Sequence, residues 1–190
     1  SYQQVIVATG STAVIPKITG IEHKNVATYQ QILSEQTELK QNIAIIGTGG
    51  VAIDTCLYAL KHQDKTHDYY QHWGVDVSNQ SGGLVGKMPA NNPRSITLTQ
   101  RKVRKPGTGL GKTTVWIHRQ ELKDFGVKVV SGASYQKIDQ DGLHLTVRNK
   151  DKLVPAEQII LCAGQQPQTP TFLQQLTIPY QIVGAAKENT

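Results

Sequence analysis

Apolar and polar positions along the chain fall into short blocks of two periods. The runs Val5-Ile6-Val7-Ala8-Thr9-Gly10, Asn42-Ile43-Ala44-Ile45-Ile46-Gly47 and Ile159-Ile160-Leu161-Cys162-Ala163-Gly164 are β-branched and close on small residues. Such near-continuous hydrophobicity marks buried parallel strands, and the small endings mark tight loops. Ser95-Ile96-Thr97-Leu98-Thr99-Gln100 alternates as a strand does, and Val127-Lys128-Val129-Val130 is a further one. Between these the period lengthens. Val51, Ile53, Leu57, Tyr58 and Leu60 recur at helical spacing from Gly50 to Lys61, so strand, glycine turn and helix follow without a gap. A second helix is expected from Thr113 to Phe125, ended by Gly126, and a short one over Tyr29-Gln30-Gln31-Ile32-Leu33 behind Thr28 as N-cap. Ser134 to Val154 reads as a meander, with strands at Tyr135 to Ile138 and Leu143 to Val147 around the Asp141-Gly142 turn and an edge at Leu153-Val154.

Two stretches break the rhythm. Ser11 to Lys40, with Pro16 and Gly20, reads as a crossing linker around the one short helix. Residues 62–94 lose all periodicity around Trp73-Gly74, Gly82-Gly83 and two prolines. A connection of that length is functional or disordered as a rule. Its apolar Trp73, Val75, Val77, Leu84, Val85 and Met88 point to packing on something, a solvated insertion being the alternative. The chain opens in mid-strand and, after Pro167, Pro170 and Pro179, stops soon after Ile182-Val183-Gly184, so both ends are expected to lie inside domains.

Composition changes this picture little. At 190 residues there is room for one full α/β domain, and seventeen glycines against two phenylalanines and two tryptophans describe a core of Val, Ile and Leu. The net charge of +6 is more telling by its distribution, since five of the twenty basic residues sit between Arg101 and Lys112. One local anion site fits a small phosphorylated ligand, whereas a nucleic-acid binder would interleave aromatic and basic residues. Cys56 and Cys162 have apolar flanks, no CxxC spacing and no secretory signal ahead of them, and read as reduced core residues of a cytoplasmic protein. No apolar run approaches the roughly 20 residues of a membrane span.

The chemistry is carried by Gly47-Thr48-Gly49-Gly50-Val51-Ala52, which matches G-x-G-x-x-G/A directly after an expected strand and at the start of an expected helix. Gly47 permits the tight turn, Gly49 lets backbone approach a pyrophosphate, and Ala52 lets helix and strand pack closely. The helix start offers amide groups and a positive dipole end to phosphates. An ordinary glycine turn in a βα unit is the bland alternative. The next strand ends Gln100-Arg101-Lys102, where an acidic residue would bind the ribose 2'-hydroxyl of NAD. Cations there favour the 2'-phosphate of NADPH, with Arg101 first because its planar fork can bind phosphate bidentately, and Lys102, Arg104 and Lys105 behind it. The long insertion breaks the usual spacing, and a solvated basic turn is the alternative.

Gly111-Lys112-Thr113 invites a P-loop reading, but Pro106 stands where the first glycine is required and five residues separate the loop from its strand. A second glycine loop opening a helix remains, either offering Lys112 to the cofactor phosphates or purely structural. His62, His67, His72 and His118 have no cysteine or carboxylate at ligand spacing, so no metal site is expected. No nucleophilic or paired-carboxylate arrangement is present either, and no catalytic residue is assigned.

These features resemble the pyridine-nucleotide domain of glutathione-reductase-type flavoproteins, an α/β fold with a Rossmann-like parallel sheet and a β-meander. More narrowly, Ile45-Ile46-Gly47-Thr48-Gly49-Gly50, Gln100-Arg101-Lys102, the run Lys105 to Thr114, Trp116-Ile117-His118-Arg119, Ser134 to Asp139 and Cys162-Ala163-Gly164-Gln165 resemble the bacterial NADPH-dependent 2,4-dienoyl-CoA reductase family. The resemblance implies an NADPH domain over residues 42–164 with the insertion 62–94, FAD-domain fragment and linker over 1–41, and the start of a return to the FAD domain over 165–190. It implies NADPH against Gly47 to Val51, Arg101, Lys102, Arg104, Lys112, Ala163 and Gly164, and FAD beside Ala8, Thr9 and Gly10. FMN and a 4Fe-4S cluster would reside in the remainder of the parent polypeptide, which is the implied partner. Rival readings are a related old-yellow-enzyme fusion such as a trimethylamine-dehydrogenase-like reductase, and a non-catalytic docking module using Trp73.

Overall fold

Ile43, Ala44, Ile45 and Ile46 are all buried, so the strand they form must be covered on both faces. The computed structural model, which describes residues 2–61, 69–80, 82–88 and 92–188, shows how. In chain order the elements are β1 (Val5–Val7), β2 (Ser11–Ala13), β3 (Val26–Thr28), α1 (Tyr29–Leu33), β4 (Asn42–Ile46), α2 (Gly50–Lys61), α3 (Tyr69–Trp73), β5 (Ser95–Gln100) and α4 (Val115–Asp124). There follow β6 (Lys128–Ser131), β7 (Ala133–Asp139), β8 (Gly142–Val147), β9 (Lys150–Pro155), β10 (Gln158–Leu161), β11 (Gln165–Pro167) and β12 (Tyr180–Ile182).

Five strands form a parallel sheet in the order β3-β10-β4-β5-β6. The period-two alternation of a strand divides its side chains between two cores. Ile43 and Ile45, with Ile96, Leu98 and Ile160, face α1, α2 and α4, where Ile53, Cys56, Leu60 and Phe125 complete a buried cluster. Ala44 and Ile46, with Ile159 and Leu161, face the antiparallel meander β7-β8-β9 through Ile138, Leu143, Leu145 and Val154. Each fully buried Ile or Leu contributes about 1.5–3 kcal/mol over exposure. Helices on one face and a meander on the other make this the Rossmann-like α/β fold expected from the sequence.

The stretch read as a crossing linker does more than cross. It supplies β3, the edge strand beside β10, in the register Val26 to Ile159 and Thr28 to Leu161. Only Ala27 of its three residues is buried, too little periodicity to show as a strand in sequence. Thr28 then caps α1 through a capping box, its hydroxyl accepting from the Gln31 amide at 3.3 Å while the Gln31 carboxamide oxygen accepts from the Thr28 amide at 2.8 Å. β1 pairs in parallel with β12, and β2 antiparallel with β11, as two small sheets separate from the main one.

Within the insertion, α3 anchors to the helical layer. The buried His72 ring stacks on Phe125 at 5.7 Å, and Trp73 meets Trp116 edge-on at 6.3 Å with Lys87 Nζ 4.8 Å from its ring centre. The other apolar residues divide from it: Val77, Leu84 and Met88 are largely exposed. His62 and His67 lie outside the described residues. No helix among the described residues is long and apolar enough to cross a membrane.

Candidate functional site

The site starts where β4 runs out. Gly47 turns the chain with φ +136°, and a Cβ there would stand 2.2 Å from the Cys162 carbonyl oxygen, so only glycine fits. Its amide donates to the Thr99 carbonyl at 2.9 Å, holding the turn against β5. At Gly49 an added Cβ would meet nothing within 4 Å, leaving backbone open to an approaching group. The helix then begins, with the Ile53 amide donating to Gly49 at 3.1 Å, and the amides of its first turn have no intrahelical acceptor. Ala52 is fully buried beneath them.

Around this turn lies a cleft of about 830 Å³ in which Val14 to Ile18, Gly47 to Gly49, Gln100 to Lys102 with Arg104, Ala133 to Tyr135 and Cys162 to Gly164 converge. Lys17, Arg101, Lys102 and Arg104 contribute positive charge, and among the described residues no carboxylate lines it. Gln100, at the end of β5, is 6% exposed and fully engaged. Its oxygen accepts from the Thr48 hydroxyl, and its amide donates to the Arg104 carbonyl and, at 2.9 Å, to Ser131 Oγ. The Gln100 side chain is therefore turned inward, and Arg101 and Lys102 are left at the strand end. Tyr135 lies across from Arg101, its hydroxyl 3.2 Å from Thr99 Oγ1. Burial raises the Tyr135 phenol, and the Thr99 bond and the Arg101 charge partly oppose that.

Burial pushes the Cys162 thiol up to about 12, against a hydrogen bond with Thr55, and lifts Cys56 further still, with Cys162 adding to the effect. Both are free and buried, so neither is a thiolate nucleophile near neutral pH. Among the described residues no group of His, Cys, Asp and Glu could hold a metal ion. What the cleft does fit is a dinucleotide: open backbone at Gly49, a helix start for phosphates, and cations where the ribose would lie.

The sequence profile of the pyridine nucleotide-disulphide oxidoreductase family matches residues 1–186. This chain belongs to that family. Members of the family bind FAD and NAD(P)H. A metal reductase of Desulforamulus reducens is 22% identical over 171 residues, which cover 90% of this chain and 25% of that protein. A 2-naphthoyl-CoA reductase solved with 2-naphthoyl-CoA has a similar fold, with a TM-score of 0.75 at 17% identity over 99% of this chain and 24% of its own. An engineered water-forming NADPH oxidase bound to NADPH gives a TM-score of 0.55 at 20% identity, over 92% and 33%. The chain thus spans about a quarter to a third of the proteins it matches.

Within this pyridine nucleotide-disulphide oxidoreductase region, Gly47, Thr48, Gly49, Arg101, Lys102, Arg104, Ala163 and Gly164 share the cleft. Gly50 sits behind it, where a Cβ would meet Leu110 Cδ2 at 3.0 Å, and Val51 packs against the helix-side core. Lys112 is exposed and outside the lining. Ala8, Thr9 and Gly10 follow β1, away from the lining, with the Thr9 hydroxyl bonded to the Gln168 carbonyl and the Gly10 carbonyl accepting from the Gln168 amide at 3.0 Å. The second glycine loop lies against the fingerprint, through a 2.7 Å bond from the Gly107 amide to the Thr48 carbonyl. Sequence reasoning assigned no role to Lys17, Ser134, Tyr135 or the Gln100 side chain. The strand-end position of Gln100 was a usable signal, whereas Lys17 and Tyr135 enter the cleft only through tertiary packing.

Proposed function

We propose that this chain holds NADPH and orients it toward a flavin, within an iron-sulfur flavoprotein that reduces 2,4-dienoyl-CoA during the breakdown of unsaturated fatty acids in the cytoplasm. The observation that carries the coenzyme assignment is the cation group Arg101, Lys102 and Arg104 on the same cleft as Gly47 to Gly49, with Gln100 turned inward and no carboxylate among the described residues of the lining. NADPH supplies the hydride. Residues of this chain bind and position: the first-turn amides of α2 take the pyrophosphate, Arg101 grips the 2'-phosphate with Lys102 and Arg104 adding field, and Ala163 and Gly164 border the cofactor where β10 ends. No side chain here is asked for acid-base chemistry.

In this reading residues 42–164 are the NADPH domain, and 1–41 and 165–190 are FAD-domain segments, with Ala8, Thr9 and Gly10 on the FAD side. FMN and the cluster belong to the rest of the parent polypeptide. The substrate class rests on the likeness of Lys105 to Thr114 and Trp116 to Arg119 to the dienoyl-CoA reductases, and the fold shared with 2-naphthoyl-CoA reductase is in keeping with an acyl-CoA substrate.

Calorimetric titration with NADPH and NADH, repeated on Arg101→Ala, tests the coenzyme. Tighter NADPH binding is expected, with a loss of roughly tenfold or more in the variant from one charged hydrogen-bonding group and little change for NADH. Equal binding of the two coenzymes by the wild type would overturn the assignment. For the substrate, NADPH oxidation by the whole protein should depend on added 2,4-dienoyl-CoA, and its absence would remove that part of the reading.

A further inference from the structure

Proton accounting at the end of β5 singles out Tyr135. Thr99 is fully buried, and its hydroxyl lies 3.0 Å from the Ile45 carbonyl, which can only accept. The single Thr99 proton is therefore committed to Ile45. Tyr135 Oη stands 3.2 Å from the same Thr99 oxygen, so the proton between them must come from Tyr135. With that proton spent, the phenol oxygen turns only lone pairs to the cleft.

The position gives those lone pairs a partner. Thr99 precedes Gln100, the last residue of β5, and the end of this second strand is where the adenosine ribose of a bound dinucleotide lies. The Tyr135 ring is packed against the meander-side core, so its hydroxyl is held in place before any ligand arrives. A phosphate dianion at the 2'-position offers no proton and cannot satisfy an acceptor. A ribose hydroxyl can.

We propose that Tyr135 is a coenzyme-binding residue whose hydroxyl, oriented by Thr99, accepts a hydrogen bond from the adenosine ribose hydroxyl that NADPH and NADH have in common. This rests on the coenzyme reading above and divides the labour within it. Arg101 discriminates between the coenzymes, and Tyr135 adds affinity to both without discriminating.

The test is Tyr135→Phe, which removes one oxygen and keeps the ring, titrated calorimetrically with NADPH and with NADH beside the wild type and Arg101→Ala. A melting curve confirms that the variant is folded. The expected result is a loss of roughly fivefold for both coenzymes, the worth of one neutral hydrogen bond, with their ratio unchanged. A loss confined to NADPH would show that Tyr135 acts only by placing Arg101, and would overturn the proposal. Unchanged binding of both would overturn it too while leaving the coenzyme reading intact. Failure of the wild type to bind either coenzyme would remove the reading itself and this inference with it. Should Tyr135→Phe melt early, Thr99→Val serves instead: with the Thr99 acceptor gone the Tyr135 proton is free for the 2'-phosphate, and the preference for NADPH over NADH should rise. An unchanged or lower preference would overturn the proposal.

Discussion

The Gly107 amide donates to the Thr48 carbonyl at 2.7 Å, so the two glycine loops of this chain are one structure. Gly107 has φ +69°, and a Cβ there would meet Val115 Cγ2 at 2.9 Å and Ile53 Cδ1 at 3.0 Å. Gly107→Ala is expected to destabilise by about 1–2 kcal/mol from the left-handed backbone, which lowers the melting midpoint by about 2–8 °C at this chain length. Coenzyme affinity should fall with it, because Thr48 is common to both loops. Scanning calorimetry decides, and an unchanged midpoint would mean that the second loop yields freely.

Gln100 satisfies the Thr48 hydroxyl, the Arg104 carbonyl and Ser131 together while almost wholly buried. Gln100→Glu replaces its donating amide by an oxygen that faces the Arg104 carbonyl. Leaving buried groups unsatisfied costs about 1–3 kcal/mol, and a negative charge beside the proposed 2'-phosphate site repels the ligand. Lower stability and at least a tenfold weaker binding of NADPH are expected, with NADH less affected. Calorimetry that finds NADPH binding unaltered would show that this strand end does not face the phosphate.

How much of this could be read in advance depended on periodicity. The helix Gly50 to Lys61, the strands at Asn42, Ser95 and Ile159, and the meander all carry several apolar residues in a repeating pattern, and they stand where the pattern put them. The cap at Thr28 was legible because its chemistry is local, a hydroxyl three residues ahead of a glutamine. What was not legible has a common cause. β3 buries one residue, β2, β11 and β12 are three residues each, and α3 is a single short helix whose burial depends on Phe125 and Trp116. In the site, the fingerprint and the basic strand end could be read from spacing and charge. Lys17 and Tyr135 could not, since they reach the cleft from segments brought there by the sheet and meander.

Trp73 was open to a reading as a docking surface. Its ring is instead in contact with Trp116 and Lys87 of the same chain. Trp73→Ala should lose the aromatic pair, about 0.5–1.5 kcal/mol beyond burial, and lower the melting midpoint, while leaving coenzyme affinity within about twofold because no coenzyme contact is involved. A normal midpoint together with lost association of another protein would restore the docking reading.

Asp139 closes the first turn of the meander. Its carboxylate lies 2.8 Å from Lys137 Nζ and 2.9 Å from His144 Nε2, and it accepts from the Asp141 amide at 3.0 Å. Lys137 first, then His144, hold its acid well below the usual carboxylate range, and Asp139 in turn raises Lys137. A carboxylate depressed in the folded state stabilises above its unfolded pKa of about 4, and the benefit fades as pH falls from there toward the folded value. The raised Lys137 works the other way, its share being present below about 10.4 and fading as pH rises through its folded value. Asp139→Asn should therefore melt below the wild type at pH 7, with the gap narrowing on both sides, below about pH 4 and above about pH 10.4. The groups are exposed enough that added salt should shrink the gap as well. A gap that stays constant from neutral pH down to pH 3 would mean that the turn owes its stability to backbone hydrogen bonds rather than to the charge.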